Sequence, residues 1–209
     1  MPEIDLYFDA IDAARIRRVK ELSEIKRRFG SDHTTDPSGV SSKAAVVLTY
    51  ANWEGFYNEC LQTYMEFLRE RGKKVRETDW MLLVCAFHRE FESLRDKNHS
   101  ADSRRDFIVR LKDRLECDFV QFDSSAIAAK SNLNFERLAY NYSLMNFDLG
   151  ALQKFRIRLD KELVEWRHRV AHGDSPDLSA MDIADHVDFA AHLLIVIADN
   201  FQYAMLERM

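Results

Sequence analysis

Glycine and proline are scarce, with 6 and 3 among 209 residues. The residues that most often break helices are therefore few, while Ala, Leu, Glu, Arg and Lys are frequent, and the chain is expected to be all-α. Cysteine is scarce too. Cys60, Cys85 and Cys117 form no CxxC or metal-like spacing, and their odd number argues against a disulfide framework, so they are read as buried thiols in a reducing cytoplasm. The opening "MPEIDLYFDA" has acids where a secretory signal would have a basic segment. The longest apolar runs, "WMLLVCAF" and "LLIVIA", fall well short of the roughly 20 residues of a spanning helix, so no membrane partner is expected. No excess of positive charge marks a nucleic-acid binder either: 30 basic against 35 acidic residues leave a net charge of −5, and any such role must come from a local patch.

What is present is helical periodicity. Apolar residues at Ile4, Phe8, Ile11, Val19, Leu22, Ile25 and Phe29 predict a first helix over about 4–29, followed by the loop signal "GSDHTTDPSGVSS". A second helix is expected from a cap at Ser41 or Ser42 to about Arg71, a third from Thr78 or Asp79 through "WMLLVCAFHREFESL", and a fourth from Asp102 or Ser103 through "RRDFIVRLKDRLEC". The pattern weakens from Asp118 to Asn134. It restarts as a short helix capped by Asn132 or Asn134, then continues in a helix over about 151–171 and a last one over about 178–206. The domain expectation is an N-terminal helical arm, residues 1–30, and a helical bundle, residues 41–209.

The stretch "EWRHRVAHGD" concentrates acid, base and cation. Arg167 and His172, five apart, point about 140° apart on a regular helix with about 7.5 Å of rise between them. They are not face-mates, but an arginine is long enough to swing toward a helix end at Gly173. His168 and His172 share a face, and Glu165 joins them by its offset of three. Histidine exchanges protons near neutral pH, and arginine pairs with phosphoryl oxygens, so the set suits phosphodiester cleavage in RNA with the 2′-hydroxyl as nucleophile and no metal or cofactor. Lys154, Arg156, Arg158, Lys161, Arg167 and Arg169 outnumber Asp160, Glu162 and Glu165 here, a local patch for a phosphate backbone. The same residues also make an ordinary helix terminus: His172 complements the dipole, Gly173 supplies a left-handed residue, and Glu165 and Arg169 are spaced as an i,i+4 pair. Metal binding is not indicated, since there is no HExxH and only one ExxH.

"RHRVAHG" resembles the Rx4-6H signature of the HEPN superfamily, the higher eukaryotes and prokaryotes nucleotide-binding domain: Arg167, the polar His168, then "RVA" and His172. "VLTYANWEGFYNECLQTYMEFL" looks like the second helix of a bacterial HEPN subgroup, with Trp53-Glu54 before Gly55-Phe56, and "SNLNFERLAYNYSLMNF" is similar to a segment of the same subgroup. The resemblance implies a four-helix core with an added N-terminal helix, a homodimer, and a metal-independent endoribonuclease acting on RNA, as a toxin or an anti-phage effector with a cognate antitoxin or partner protein. Carried over by position, it implies that Arg167 stabilises the transition state, His172 is the general acid or base, His168 orients substrate or its partner histidine, and Glu54 is a fourth member of the site. Arg169, Lys161 and Arg158 are the expected RNA-binding cations. The family also contains non-catalytic modules that bind nucleotides or proteins, which is the alternative expectation.

Overall fold

A computed structural model of the chain describes residues 3–33, 36–119 and 124–209, the side chains of 31–33 excepted. Thr34 and Thr35 of the first loop signal, and residues 120–123 of the weakly patterned stretch, lie outside the described residues. The fold is all-α: among the described residues the only extended pairing is an isolated bridge between Lys74 and Asp118.

Three long helices, α1 (Ile4–His33), α2 (Val40–Glu70) and α10 (Ile183–Glu207), pack on one another. A fourth helical run lies against α2 and α10; it consists of α7 (Gly150–Gln153), α8 (Arg156–Arg158), a π-helical turn (Leu159–Glu165) and α9 (Trp166–Ala171). Between α2 and α7 the chain makes the smaller helices α3 (Leu83–Ala86), α4 (His88–Asp96), α5 (Ala101–Leu115) and α6 (Phe135–Met145).

The α1 stripe is buried at Tyr7, Ile11, Ala14, Leu22 and Ile25, a three-and-four spacing that faces α2 and α10. Position 18 continues that stripe, yet it holds an arginine. Arg18 and Arg17 both pair with Glu59 of α2, and the guanidinium crosses α2 at Gly55, where an added Cβ would stand 2.6 Å from Nη2. Gly55 is thus a passage for a charged side chain between two core helices.

Helix boundaries moved where side chains found other work. Ser41 and Ser42 do not cap α2, which starts after Gly39 without a side-chain cap, while the Ser42 hydroxyl donates to the Asp36 carbonyl. The expected third helix is broken into a 3-10 turn, α3 and α4; of its two expected caps, Asp79 instead pairs with Arg208 at 2.7 Å and the Thr78 hydroxyl donates to the Val75 carbonyl at 2.7 Å. Ser100 rather than Asp102 or Ser103 caps α5, accepting from the Ser103 amide. Asn134 caps α6 as expected. Cys60 and Cys85 are buried, but Cys117 is exposed, because it follows the end of α5. By length and composition alone α10 is apolar enough to cross a membrane, which the short unbroken runs had argued against; half of its most apolar stretch is buried in the bundle.

α2 also orders the weakly patterned stretch. Tyr50, Trp53 and Tyr57 are fully buried with polar tips that need partners. The Tyr50 hydroxyl accepts from the Leu133 amide at 2.8 Å, the Trp53 indole donates to the Leu133 carbonyl at 3.4 Å, and the Tyr57 hydroxyl donates to the Ile127 carbonyl at 2.9 Å while accepting from Asn141 at 2.9 Å. Asn58 adds a bond from the Ala129 amide at 3.1 Å. Residues 127–134, which have no helical pattern of their own, are thereby fastened along α2, with Lys130 and Ser131 in left-handed conformation. Tyr57→Phe strands two buried groups, at a cost of about 2 kcal/mol. Thermal denaturation should show a Tm lower by roughly 4–8 °C, at about 2–4 °C per kcal/mol for a chain of this size; an unchanged Tm contradicts this account of how the stretch is held.

Candidate active site at the end of the fourth helix

The run from Gly150 to Ala171 buries Leu152, Leu159 and Leu163 and half-buries Trp166. Its π-helical turn lies directly before the Arg–His segment, a placement common at functional sites. The helix ends in a double-bonded glycine cap. His172 is the last near-helical residue, Gly173 is left-handed at φ +84°, its amide donates to the Val170 carbonyl at 3.1 Å, and the Asp174 amide reaches back to the Arg169 carbonyl at 2.9 Å. The ordinary terminus expected from sequence is therefore real, and it leaves the side chains of His168 and His172 free for other uses.

The side chains of the site sort into two groups. The His168 and His172 rings, one turn apart and both exposed, lie with centroids 4.3 Å apart at 52°. Arg167 is half-buried and turns toward α2, its guanidinium 4.6 Å from the centroid of the Tyr50 ring, within the range of a cation–π contact. Among the described residues no hydrogen bond joins Arg167 to either histidine, so within one chain the expected convergence is not closed.

Glu54 stands one turn beyond Tyr50 on α2 and completes the second group. Burial pushes its carboxyl above the usual glutamate range, while the Arg167 charge, the Tyr50 hydroxyl and the Ser131 amide pull the other way. One carboxylate oxygen, Oε1, is buried with no hydrogen-bond partner. Tyr50 itself is pushed up to about 12, chiefly by burial; at neutral pH it is a neutral ring and hydroxyl rather than an acid or base. α2 thus offers a platform of Tyr50 and Glu54 under the Arg167 guanidinium, and the loop at Ser131 closes one side.

The expected RNA-binding cations do not all stay available. Arg158 pairs with Glu162 at 2.9 Å and with Asp185, and it stands 4.2 Å from the Phe189 ring centroid. It is a strut between the fourth run and α10, next to the buried His186, which lies 3.9 Å from Glu162. A guanidinium already held by two carboxylates has little left for a phosphate, so the RNA contact expected of Arg158 would compete with this strut. Lys161 is exposed and Arg169 half-buried, and neither forms an ion pair among the described residues; the i,i+4 pair of Arg169 with Glu165 does not form. Among the described residues no cluster of His, Cys, Asp and Glu could hold a metal ion.

Sequence reasoning missed Tyr50. Its signal was the "YANWE" spacing, which places Tyr50 and Glu54 four apart on one helix face. Glu54 binds its proton more readily folded than unfolded, so its ionisation opposes folding. Wild type therefore loses stability relative to Glu54→Gln as pH rises from the ordinary value of 4.5 through the elevated folded value. Melting curves should show Glu54→Gln above wild type at about pH 7, with the margin closing at about pH 4; a margin independent of pH removes the electrostatic explanation.

A family model described as RiboL-PSP-HEPN matches residues 13–203, beginning inside α1 and ending inside α10. No curated protein and no solved structure matches the chain.

Proposed function

Because the chain belongs to the RiboL-PSP-HEPN family, we propose that it is a metal-independent endoribonuclease whose site is built on Arg167, His172, His168 and Glu54. The supporting observation is the Arg167 guanidinium set over Tyr50 and beside Glu54, one residue before a pair of exposed imidazoles 4.3 Å apart. In the proposed reaction the 2′-oxygen of the RNA attacks the adjacent phosphorus and its proton passes to an imidazole. The bond from phosphorus to the 5′-oxygen breaks, and that oxygen takes a proton from a second imidazole. The products are a 2′,3′-cyclic phosphate and a 5′-hydroxyl.

His172, exposed at the helix end, is the general acid or base, and His168 orients it or the substrate. Arg167 meets the phosphoryl oxygens as charge accumulates on them. Glu54 and Tyr50 hold that guanidinium at the α2 surface, which makes Glu54 a positioning residue in this scheme. Lys161 and Arg169 supply backbone contacts. A homodimer brings a second motif to the cleft and closes the gap between Arg167 and the histidines. The biological setting that fits is a cytoplasmic toxin or anti-phage effector, silenced by a cognate antitoxin or governed by a partner protein of its defence system.

A second reading, a non-catalytic nucleotide- or protein-binding module, is favoured by one observation: the glycine cap accounts for His172-Gly173 without chemistry. The two separate on one experiment. Wild type, Arg167→Ala and His172→Ala are incubated with total RNA in excess EDTA, and the fragment ends are analysed. Loss of either side chain should lower cleavage at least about a hundredfold, the scale of acid–base and charge-stabilising groups. The fold should survive His172→Ala within about 0.5 kcal/mol, since the side chain is exposed. RNA bound but uncut by wild type supports the binding module; equal cutting by all three proteins removes these residues from the chemistry.

A further inference from the structure

A cavity of about 670 Å³ opens beside the 127–134 loop, and no residue of α9 lines it. Its size lies within the range of small-molecule and nucleotide sites. Lys130, Arg137 and His88 line it together with Asn132 and Tyr140, against a single acid, Glu136. Tyr140 is 45% exposed, and Arg137, three residues earlier on the same face of α6, places its guanidinium 5.7 Å from the Tyr140 ring centroid. Neither Lys130 nor Arg137 pairs with a carboxylate among the described residues; Arg137 makes only a long bond, 3.4 Å, to the Ala126 carbonyl, and its Nε has no partner. An uncommitted cation pair beside an exposed aromatic ring is the combination that holds an unpaired nucleotide, the base on the ring and the phosphate on the cations.

The position of the cavity says which nucleotide. Lys130 and Ser131 are consecutive, with Cα atoms about 3.8 Å apart. Lys130 faces the cavity, while the Ser131 amide serves the Glu54 carboxylate beside Arg167. The left-handed backbone at both residues turns the loop so that one residue serves each site. We infer that the cavity formed by Lys130, Asn132, Arg137 and Tyr140 is a subsite for a single unpaired nucleotide of the same RNA strand that reaches Arg167. Asn132, with an amide donor and an acceptor, is placed to meet a base edge. This assignment rests on RNA as the substrate, although its test does not require cleavage.

The test measures binding of a short fluorescein-labelled single-stranded RNA bearing 2′-O-methyl groups throughout, which cannot undergo attack by a 2′-oxygen. Wild type, Tyr140→Ala and Lys130→Gln are titrated as full chains. Lys130→Gln removes the charge while leaving the same demand on the backbone, and the exposed Tyr140 ring is not part of the core, so both proteins should melt like wild type. Each should bind about tenfold more weakly, the scale of one lost stacking or phosphate contact. Affinities within twofold of wild type, or no binding by wild type, overturn the subsite. Adenosine monophosphate forms the second arm: if it binds wild type and is lost in Tyr140→Ala while the RNA affinity is unaffected, the cavity takes a free nucleotide and the strand assignment falls. Weakened RNA binding in Tyr140→Ala, together with no cleavage of ordinary RNA by wild type, keeps the subsite and removes the ribonuclease reading.

Discussion

The buried polar aromatics of α2 govern the rest of the molecule. Tyr50, Trp53 and Tyr57 bring large apolar surface into the core, but a hydroxyl or indole N–H inside a protein must find a partner. Their partners are the backbone groups of Ile127 and Leu133 and the amide of Asn141. A segment with little helical tendency is thus given one conformation by a helix remote in sequence. That conformation puts Ser131 against Glu54 and Lys130 on the neighbouring cavity. The core and the candidate site are ordered by the same bonds.

The site then inherits a tension. Glu54 is half-buried, and burial is the largest influence on its carboxyl, outweighing the favourable charge of Arg167. A group whose ionisation opposes folding stands where its charge acts on the arginine on which the proposed chemistry turns. Such local conflict between stability and geometry is expected at functional sites, where a side chain answers to substrate as well as to packing. Arg18 shows a structural version of the same conflict: it occupies a core-facing position of α1 and relies on the missing side chain of Gly55 to reach Glu59.

Much of this was legible in the sequence, for identifiable reasons. The long helices announce themselves through apolar spacing, and the order of elements follows. The glycine cap at Gly173 and the Asn134 cap follow from residue type. Other features depend on partners distant in the chain. Asp79 reads as a cap but is drawn to Arg208; Arg158 reads as a free cation but is held by Glu162 and Asp185. Beyond its spacing from Glu54, Tyr50 carries no signal of its own in the sequence, and only the approach of α9 makes it the surface on which Arg167 rests. Local spacing encodes which face a residue occupies; it does not encode which opposite charge arrives at that face.

The π-helical turn over Leu159–Glu165 sets a rotational phase. Each residue of an α-helix advances the side-chain direction by about 100°, and a turn closed over five residues instead of four delays everything after it by one position. Regularising this turn to α geometry at unchanged length would leave the helix as helical as before, yet it would advance Arg167 by one position, about 100°, and carry the guanidinium off the Tyr50 ring; deleting one residue at the same time would bring it back. The register of the motif therefore depends on the number of residues here and on the π geometry together, and a change in one that the other does not offset would misplace Arg167 without disturbing the bundle.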